Sequence, residues 1–323
     1  MLLDGHRLQV TPSIGIALLP DHGNTPADLL KRADIALYRA KDSGRNAIQL
    51  FRSTMQDAAS ARLRLENDLR LALARGEFEL HFQPQVDARD GKVVGAEALL
   101  RWQHPQQGFI SPERFVGLAE QHGFVAELDT WVARRACADL VGLLEEGHDL
   151  RMAVNCSALN LSNPQMPAVV ARILERTGLE PARLTVEVTE NALMNSLGAA
   201  IRTLDAVREL GVKVSIDDFG SGYSSLTYLR QLPVDTLKVD RAFVREIAEQ
   251  ANDRAITAAI IAMAHKLGLK VVAEGVENIE QLDMLRQFGC DQVQGYLISK
   301  ALPLAELARF LVFGKHQPQL GGS

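Results

Sequence analysis

The stretch that decides the fold is residues 212–223, which read Val-Lys-Val-Ser-Ile-Asp-Asp-Phe-Gly-Ser-Gly-Tyr. Its first five residues alternate apolar and polar side chains, and this alternation predicts a β-strand. The strand ends in adjacent carboxylates, Asp217 and Asp218, and a turn with two glycines follows. Adjacent aspartates repel each other unless a proton or a cation compensates them, which favours a divalent metal. A helix cap beside a solvated neighbour is the alternative, and it is the commoner interpretation of an isolated pair.

Length and composition limit the number of domains and the class of protein. The chain has 323 residues, 47% of them hydrophobic and 23% charged, as in an ordinary globular protein. This length accommodates one large domain of about 250 residues and a smaller segment. The sequence has no apolar run of about 18 residues and no long apolar segment at its N-terminus. We therefore expect no membrane segment in this chain and no secretion.

The net charge and the numbers of cysteine and histidine residues exclude several classes of function. The net charge of −5 argues against binding of a nucleic-acid polymer, because phosphate backbones require clustered Lys and Arg. The three cysteines lie far apart, which indicates a reducing cytoplasm rather than a disulfide framework or a zinc ribbon. The eight histidines include no HExxH pattern. Hard oxygen ligands are then the plausible metal chemistry.

Two short segments precede the main domain. Residues 1–52 predict a strand at 8–19, a helix at 26–42 and a second strand at 47–51. Such a segment has half a sheet and cannot bury both faces of its helix. In the linker segment 53–75, residues 62–75 predict a helix with apolar positions on one face at Leu65, Leu69, Ala72 and Leu73. That helix could transmit signals, or it could be a plain linker.

From residue 78 onward, strand-like runs alternate with amphipathic helices. The eight runs lie at 78–86, 93–100, 152–156, 184–188, 212–216, 236–239, 271–273 and 292–296. The first two are separated by only six residues, too few for a parallel crossover, so they form a hairpin. The fold class is therefore α/β, a modified TIM-type (β/α)8 barrel with one antiparallel strand, preceded by the short α/β segment and the linker helix.

Polar side chains stand at the C-terminal end of strand after strand, where a (β/α)8 barrel places its chemistry. They are Glu97, Asn155, Glu187, Asp217 with Asp218, Lys238 with Asp240, Glu274 and Gln294. One such residue is usually a cap, but a series at successive strand ends converges on one basin. This series overturns the cap interpretation of the aspartate pair.

The basin supports a narrow range of chemistry. Carboxylate and amide oxygens suit two Mg²⁺ or Mn²⁺ ions, which can assist in-line displacement at a phosphate. Lys238 could orient or deprotonate a water molecule, or neutralise charge on the phosphate. Glu274 could position the nucleophile, and Arg101 could hold a phosphate through two hydrogen bonds.

Several motifs resemble the EAL-domain family over about residues 65–312. They are Phe-Gln-Pro (82–84), Glu-Ala-Leu-Leu-Arg-Trp (97–102), Glu-Val-Thr-Glu (187–190), Asp-Asp-Phe-Gly-Ser-Gly-Tyr-Ser-Ser-Leu (217–226), Lys-Val-Asp (238–240), Ala-Glu-Gly-Val-Glu (273–277) and Gln-Gly-Tyr (294–296). The resemblance implies a cyclic di-GMP phosphodiesterase that releases linear pGpG with Mg²⁺ or Mn²⁺ and is inhibited by Ca²⁺.

The resemblance also assigns roles to individual residues. The implied metal ligands are Glu97, Asn155, Glu187, Asp217 and Asp218; the implied catalytic residues are Lys238, Glu274 and Glu97; the implied substrate contacts are Gln83, Arg101 and Gln294. Glu190 would anchor the loop that follows the aspartates, Phe219 to Ser225, and Asp240 and Glu277 would be secondary acids. Ser221 stands where the family usually has Thr, and Ala301 where Pro is common.

A second resemblance lies in the N-terminal segment. Val-Thr-Pro-Ser-Ile-Gly-Ile-Ala (10–17) and Ala-Asp-Ile-Ala-Leu-Tyr-Arg-Ala-Lys-Asp-Ser-Gly-Arg-Asn (33–46) are similar to the C-terminal part of a GGDEF (diguanylate cyclase) domain. The nucleotide-binding half is missing, so we expect no cyclase activity and interpret Met1 as a truncation point in a longer sensor. The expected domains are 1–52 partial GGDEF, 53–75 linker helix, 76–317 EAL and 318–323 tail.

Two other functions remain open at this point. One is a catalytically silent cyclic di-GMP receptor, and the other is a regulatory dimerisation module. Loss of a ligand acid or of the lysine would favour the receptor, and every one of them is present. The resemblance further implies a homodimer formed beside the Asp217-Asp218 loop.

Overall fold

The structure is a computed structural model that describes residues 2–3, 6–7, 11–220 and 229–313. The chain divides into two units, residues 1–72 and 73–323, and each is described separately below. Within the described residues, no helix is both long enough and apolar enough to span a bilayer.

The N-terminal unit contains two small sheets and a helix. Strands β1 (Leu2–Leu3) and β2 (His6–Arg7) pair antiparallel, and β3 (Ile14–Ile16) pairs parallel with β4 (Ile48–Leu50). Helix α1 (Pro26–Asp42) connects β3 to β4 and begins with a cap in which Thr25 Oγ1 accepts the Asp28 N–H. The predicted order strand, helix, strand is confirmed, although both strands are shorter than the sequence suggests.

Close contact between α1 and β3 depends on Gly15. A Cβ on this residue would lie 2.2 Å from the Ala33 carbonyl oxygen and 2.2 Å from the Leu37 nitrogen. The other side of the sheet is apolar and exposed, because Ile14 and Ile48 are 41% and 66% exposed. The segment therefore buries one face of its sheet and leaves the other in water, as half a sheet must.

Helix α2 (Ser53–Arg75) spans the whole linker segment 53–75, and it begins nine residues before the helical pattern predicted at residues 62–75. The apolar residues of the added turns are Met55 and the alanines Ala58, Ala59 and Ala61, so the pattern of leucines could not reveal these turns. Its predicted apolar face is confirmed at Leu65, Leu69 and Ala72, which are buried.

A closed eight-stranded barrel forms the second unit. Its strands are β5 (Phe78–Asp87), β6 (Val93–His104), β8 (Arg151–Asn155), β9 (Leu184–Thr189), β10 (Lys213–Phe219), β11 (Thr236–Val239), β12 (Lys270–Ala273) and β13 (Gln292–Val293). Two further strands, β7 (Gly108–Ile110) and β14 (Leu302–Pro303), pair with β6 and β5 outside the closed ring.

Helices cover the barrel from outside and connect its strands. They are α3 (Pro112–Gln121), α4 (Val125–Glu145), α5 (Ala158–Leu161), α6 (Met166–Thr177), α7 (Glu190–Asn195), α8 (Leu197–Glu209), α9 (Arg241–Arg245), α10 (Ala251–Lys266), α11 (Ile279–Gln287) and α12 (Leu304–Phe313). Their apolar faces and the outward side chains of the strands form one continuous core, in which Leu140, Leu204 and Leu285 are fully buried.

The predicted antiparallel strand is confirmed. Strand β5 pairs antiparallel with β6 on one side and with β13 on the other, and the remaining barrel strands are parallel to their neighbours. Parallel strands end on the same side of the barrel. We call the end formed by their C-terminal residues the upper mouth, and the end formed by their N-terminal residues the lower mouth.

Three predicted strand ends of the barrel are wrong, and one of them is the end of β6, which lies at His104 instead of residue 100. The last strand ends at Val293 instead of residue 296, because Gly295 turns against the backbone of Val276. Strand β10 continues to Phe219, so Asp217 and Asp218 belong to the strand itself and do not follow it. The predicted tail lies outside the described residues.

Candidate active site at the upper mouth of the barrel

Lys238 stands at the centre of the upper mouth. It is fully buried on β11, and its Nζ lies 2.7 Å from Glu187 Oε2 and 2.6 Å from Glu274 Oε1. Asp217 Oδ1 at 3.2 Å and Glu97 Oε2 at 3.3 Å complete the group. The structure therefore brings together acids from β6, β9, β10 and the end of β12 around one ammonium group.

Amide side chains hold Glu97 in place from both sides. Asn155 Nδ2 donates to Glu97 Oε1 at 2.8 Å, and Gln294 Nε2 donates to Glu97 Oε2 at 2.8 Å. Gln294 Nε2 also donates to Gln83 Oε1 at 3.0 Å. Asn155 and Gln294 thus orient the carboxylate of Glu97, and Gln83 contacts Gln294.

A bulge in β10 explains how neighbouring aspartates reach the same mouth. Neighbours in a regular strand point to opposite faces. Here the register with β11 shifts between Ile216 and Phe219, and Asp218 has φ +54°, in the left-handed region that most side chains avoid. Carboxylate oxygens of Asp217, Asp218 and Glu274 consequently lie within 4.8 Å of one another.

Glu190 contacts the first glycine after the aspartates. This buried residue begins α7, and its Oε2 accepts the N–H of Gly220 at 3.2 Å. Residues 221–225, which complete the predicted loop, lie outside the described residues. The anchoring contact is therefore present at the first glycine of the loop.

Arg101 lies on β6, four residues beyond Glu97 along the strand. It is partly buried, and its Nη1 donates to the carbonyl of Leu100 at 3.0 Å. Burial lowers the pKa of its guanidinium, against the opposing charge of Glu97. A guanidinium has no deprotonated form at ordinary pH, so Arg101 remains a cation suited to a phosphate.

The two secondary acids differ in position. Asp240 begins α9, where its Oδ1 accepts the Ala242 N–H at 2.7 Å, so it caps a helix. Glu277 is exposed on the segment before α11 and is absent from the carboxylate groups that the described residues place close together. Their secondary roles stay predictions.

The site is short of positive charge. Burial raises the pKa of Glu274 to about 7, and burial followed by repulsion from Glu97 and Asp217 raises the pKa of Glu187 well above its usual range. Burial and the neighbouring Asp217 also raise the pKa of Asp218. These three acids favour protonation because one ammonium group serves five carboxylates.

Glu97 and Lys238 show the opposite behaviour. Burial acts to raise the pKa of Glu97, yet the charge of Lys238 and hydrogen bonds from Gln294 and Asn155 hold it below its ordinary value. Burial opposes the charge on Lys238, but the surrounding acids, first Glu187 and Glu274, raise its pKa well above the usual range. Lys238 is therefore a fixed cation.

Two residues of the site were missed by sequence reasoning. Buried Gln85 donates from Nε2 to Gln294 Oε1 at 2.9 Å and so fixes the orientation of that amide. The ring of Tyr296 is 62% exposed, and Lys300 Nζ lies 5.3 Å from its centroid. Gln83 and Gln85 lie two residues apart on one strand and therefore on the same face, and this pattern could have revealed Gln85 as a site residue.

The chain belongs to the EAL domain family. A family model described as EAL domain matches residues 66–301. A second family model, described as diguanylate cyclase, GGDEF domain, matches residues 2–47. The resemblances to both families that the motifs carry are therefore confirmed.

Two relatives match this chain across both segments. The chain is 51% identical over 310 residues to cyclic di-GMP phosphodiesterase NbdA of Pseudomonas aeruginosa, covering 96% of this chain and 40% of that protein. It is 44% identical over 303 residues to the bifunctional diguanylate cyclase/cyclic di-GMP phosphodiesterase MucR of the same organism, covering 94% and 44%. The chain thus spans less than half the length of these relatives.

Solved structures agree in fold. The MucR phosphodiesterase in complex with cyclic di-GMP has a TM-score of 0.73 at 44% identity, with 76% of this chain and 99% of that chain covered. The EAL enzyme Bd1971 with cAMP and cyclic di-GMP bound has a TM-score of 0.75 at 31% identity, with 90% and 77% covered.

Proposed function

We propose that this protein is a metal-dependent cyclic di-GMP phosphodiesterase that hydrolyses one phosphodiester bond to give linear pGpG. The observation that carries the proposal is the buried Lys238 with four carboxylates at the upper mouth of an EAL barrel. Identity of 51% to a protein named as a cyclic di-GMP phosphodiesterase supports the substrate.

The donor set fits two Mg²⁺ or Mn²⁺ ions. Glu97, Glu187 and Asp217 place carboxylate oxygens within 4.8 Å of one another, and Asp217, Asp218 and Glu274 do the same. Asn155, whose Nδ2 donates to Glu97 Oε1, would offer its amide oxygen to an ion. Hard oxygen donors in excess of positive charge are what these ions require. Bound there, the ions would supply charge stabilisation at phosphate oxygens and a more acidic water.

The chain's own residues would orient the water, transfer its proton and bind the substrate. Lys238, a fixed cation in contact with four acids, would orient the attacking water and offset charge on the phosphate. Glu274, with a pKa near 7, is placed to hold or accept a proton of that water. Arg101 would bind a phosphate oxygen, while Gln83 and Gln294 would contact the nucleotide.

Assembly and location are part of the proposal. We propose a homodimer that forms through the region beside the Asp217-Asp218 loop, and a cytoplasmic position for this part of the protein. Light scattering across a concentration series tests the dimer. A single monomer mass at the highest concentration would exclude it.

A turnover assay separates the enzyme from the two alternatives. Release of pGpG is measured with Mg²⁺ for the wild type and for Glu97→Ala, which removes a carboxylate that accepts hydrogen bonds from three side chains. Turnover in the wild type and its loss in the variant support the enzyme. Binding of cyclic di-GMP without turnover would identify a receptor, and neither binding nor turnover would leave a dimerisation module. Replacing Mg²⁺ with Ca²⁺ should suppress hydrolysis.

A further inference from the structure

The lower half of the barrel is hollow. Inward positions of (β/α)8 barrels usually carry bulky branched side chains in packed layers. Here several inward positions are small or polar, and they are Gly95, Ala153, Thr185, Ser215 and Thr236. A cavity of about 520 Å³ lies below the candidate active site as a result. We call it the lower cavity.

Cations surround the lower cavity. Arg151, Lys213 and Lys270 are the first residues of β8, β10 and β12, and Arg208 comes from the end of α8. All four side chains are exposed at the lower mouth, so the cavity has access to solvent there. Its only acids among the described lining residues are Glu187 and Asp235.

Both acids are already compensated. Glu187 is held by Lys238 at 2.7 Å. Asp235 lies 3.0 Å from Lys213 Nζ and 3.5 Å from Arg208 Nε, and it accepts the N–H of Val214. Neither Arg151 nor Lys270 forms a salt bridge with a described residue, although the charge of Asp149, which is paired with Arg183, acts on Arg151 from outside the cavity. Two cations at the rim are thus left for an external anion.

An unused polar atom lies inside the cavity. The side chain of Ser215 is 1% exposed, and its Oγ has no hydrogen-bond partner among the described residues. Buried hydroxyl groups are nearly always satisfied by protein, water or a ligand. Thr236 lies beside it on β11, whereas its neighbour on β9 is Glu187; Thr185 lies two residues lower on β9, opposite Lys213, and both threonines line the cavity.

We propose that the lower cavity is a second binding site, which accepts phosphate or a small phosphate ester. The charge of the two unpaired cations matches a doubly charged phosphate, and Arg is suited to hold its oxygens through two parallel bonds. Hydroxyl groups on the wall donate to the remaining oxygens. The volume lies within the range of small-molecule sites, roughly 300–1,000 Å³, so an ester substituent fits as well.

The lower cavity adjoins the upper mouth at Glu187 and Gln85, and its cations and its two threonines lie below them. Thr185 lies two residues below Glu187 on β9, a distance of about 7 Å along a strand. Binding in the lower cavity needs none of Glu97, Asp217, Asp218 or Glu274. The proposal therefore stands or falls independently of phosphodiesterase activity.

Titration of metal-stripped protein with inorganic phosphate at low ionic strength tests the proposal. We expect saturable binding by calorimetry, and amide NMR shifts concentrated at Thr185, Ser215 and Thr236. Sulfate should compete, since it shares the oxyanion geometry, and acetate should compete poorly. Absence of saturable phosphate binding to the wild type would overturn the proposal.

Three variants locate the binding. Arg151→Gln with Lys270→Gln should weaken phosphate binding by roughly tenfold or more, because two charge-assisted contacts are lost. Arg134→Gln with Arg172→Gln makes the same change of charge at exposed helix positions away from the cavity and should leave binding intact. Glu97→Ala should also bind as the wild type does.

A fourth variant keeps the test decisive if the double substitution lowers stability. Ser215→Ala removes the unpartnered hydroxyl without altering charge, and it should weaken binding by roughly threefold or more. Unchanged affinity in both Arg151→Gln/Lys270→Gln and Ser215→Ala would contradict the proposal. Equal weakening in Arg134→Gln/Arg172→Gln would show a nonspecific charge effect and would also contradict it.

Discussion

At the residue scale, Asp218 is the clearest case of a side chain placed by backbone conformation. Asn tolerates positive φ at least as well as Asp, so Asp218→Asn removes the charge and preserves the bulge. We expect turnover to fall roughly 100-fold, with a much smaller loss of cyclic di-GMP affinity. Metal titration and steady-state kinetics measure both. Equal losses of turnover and affinity would contradict the role of Asp218 in recruiting a second ion.

Lys238 allows a prediction about stability. Lys238→Met leaves four carboxylates around an apolar side chain, so the free energy of unfolding of metal-free protein should fall by about 3 kcal/mol. Added Mg²⁺ should stabilise this variant more than the wild type, since the ions then meet no competing ammonium. Urea unfolding with and without Mg²⁺ measures the difference.

The control for that prediction is Lys266→Met, an exposed position on α10. It should change the free energy of unfolding by no more than about 0.5 kcal/mol. Identical stabilisation of Lys238→Met and the wild type by Mg²⁺ would show that the lysine does not share the region of the ions.

Asp129 gives a pH prediction away from the site. Burial raises the pKa of this α4 carboxyl, against hydrogen bonds from Ser157 and Asn160. A raised pKa means that the folded state holds the proton more tightly than the unfolded state. This contribution to stability is full below the ordinary carboxyl pKa of about 4 and is lost as pH rises through the raised value.

Asp129→Asn carries no proton in this range and should not show that loss. The variant should therefore gain stability relative to the wild type as pH rises from about 4 toward neutrality. Urea unfolding across this range measures the difference between the two proteins. A difference that is independent of pH would refute the assignment.

At the element scale, Gly295 links the last barrel strand to its neighbour. A Cβ there would lie 2.2 Å from the Val276 carbonyl oxygen, and backbone cannot move aside as a flexible side chain can. Gly295→Ala should cost about 3 kcal/mol or more and should lower turnover, because adjacent Gln294 would lose its position against Glu97.

A matched control exists on α3. A Cβ on Gly117 would meet nothing within 4 Å, so Gly117→Ala should be neutral or stabilise the helix by up to about 1 kcal/mol. Thermal unfolding and kinetics on both variants provide the comparison. Similar stability of the two variants would show that the Gly295 turn can relax.

The strands and helices also show which features of the fold could be predicted from the sequence and which could not. The barrel and the convergence of Glu97, Asn155, Glu187 and Lys238 follow from strand periodicity, because parallel strands end at one mouth. The bulge at Asp218 does not follow, since it depends on register with β11 rather than on local sequence. The helical pattern at residues 62–75 did not include the first turns of α2 for a different reason, namely that these turns carry Met55 and alanines instead of leucines.

At the scale of the whole molecule, the two units should differ in local stability. The N-terminal unit has a parallel sheet of two short strands with one exposed apolar face, whereas the barrel strands are paired on both sides. Hydrogen exchange should therefore be faster for amides of β3 and β4 than for those of β9 and β10, and low urea should widen the gap. Equal exchange free energies in both units would contradict this expectation.

Closure of the barrel by β5 has a consequence for biosynthesis. Strand β5 cannot complete its pairing until β13 has been synthesised. Val86 pairs with Val293, and Gln85 forms a hydrogen bond with Gln294 across 209 residues of sequence. Contacts of such long range form late in folding. A nascent chain can therefore display every acid of the site and still leave Glu97 without its Gln294 partner. Residue 294 must leave the ribosome before the Glu97 carboxylate can be oriented. The assembled site therefore forms only after the last barrel strand has been synthesised.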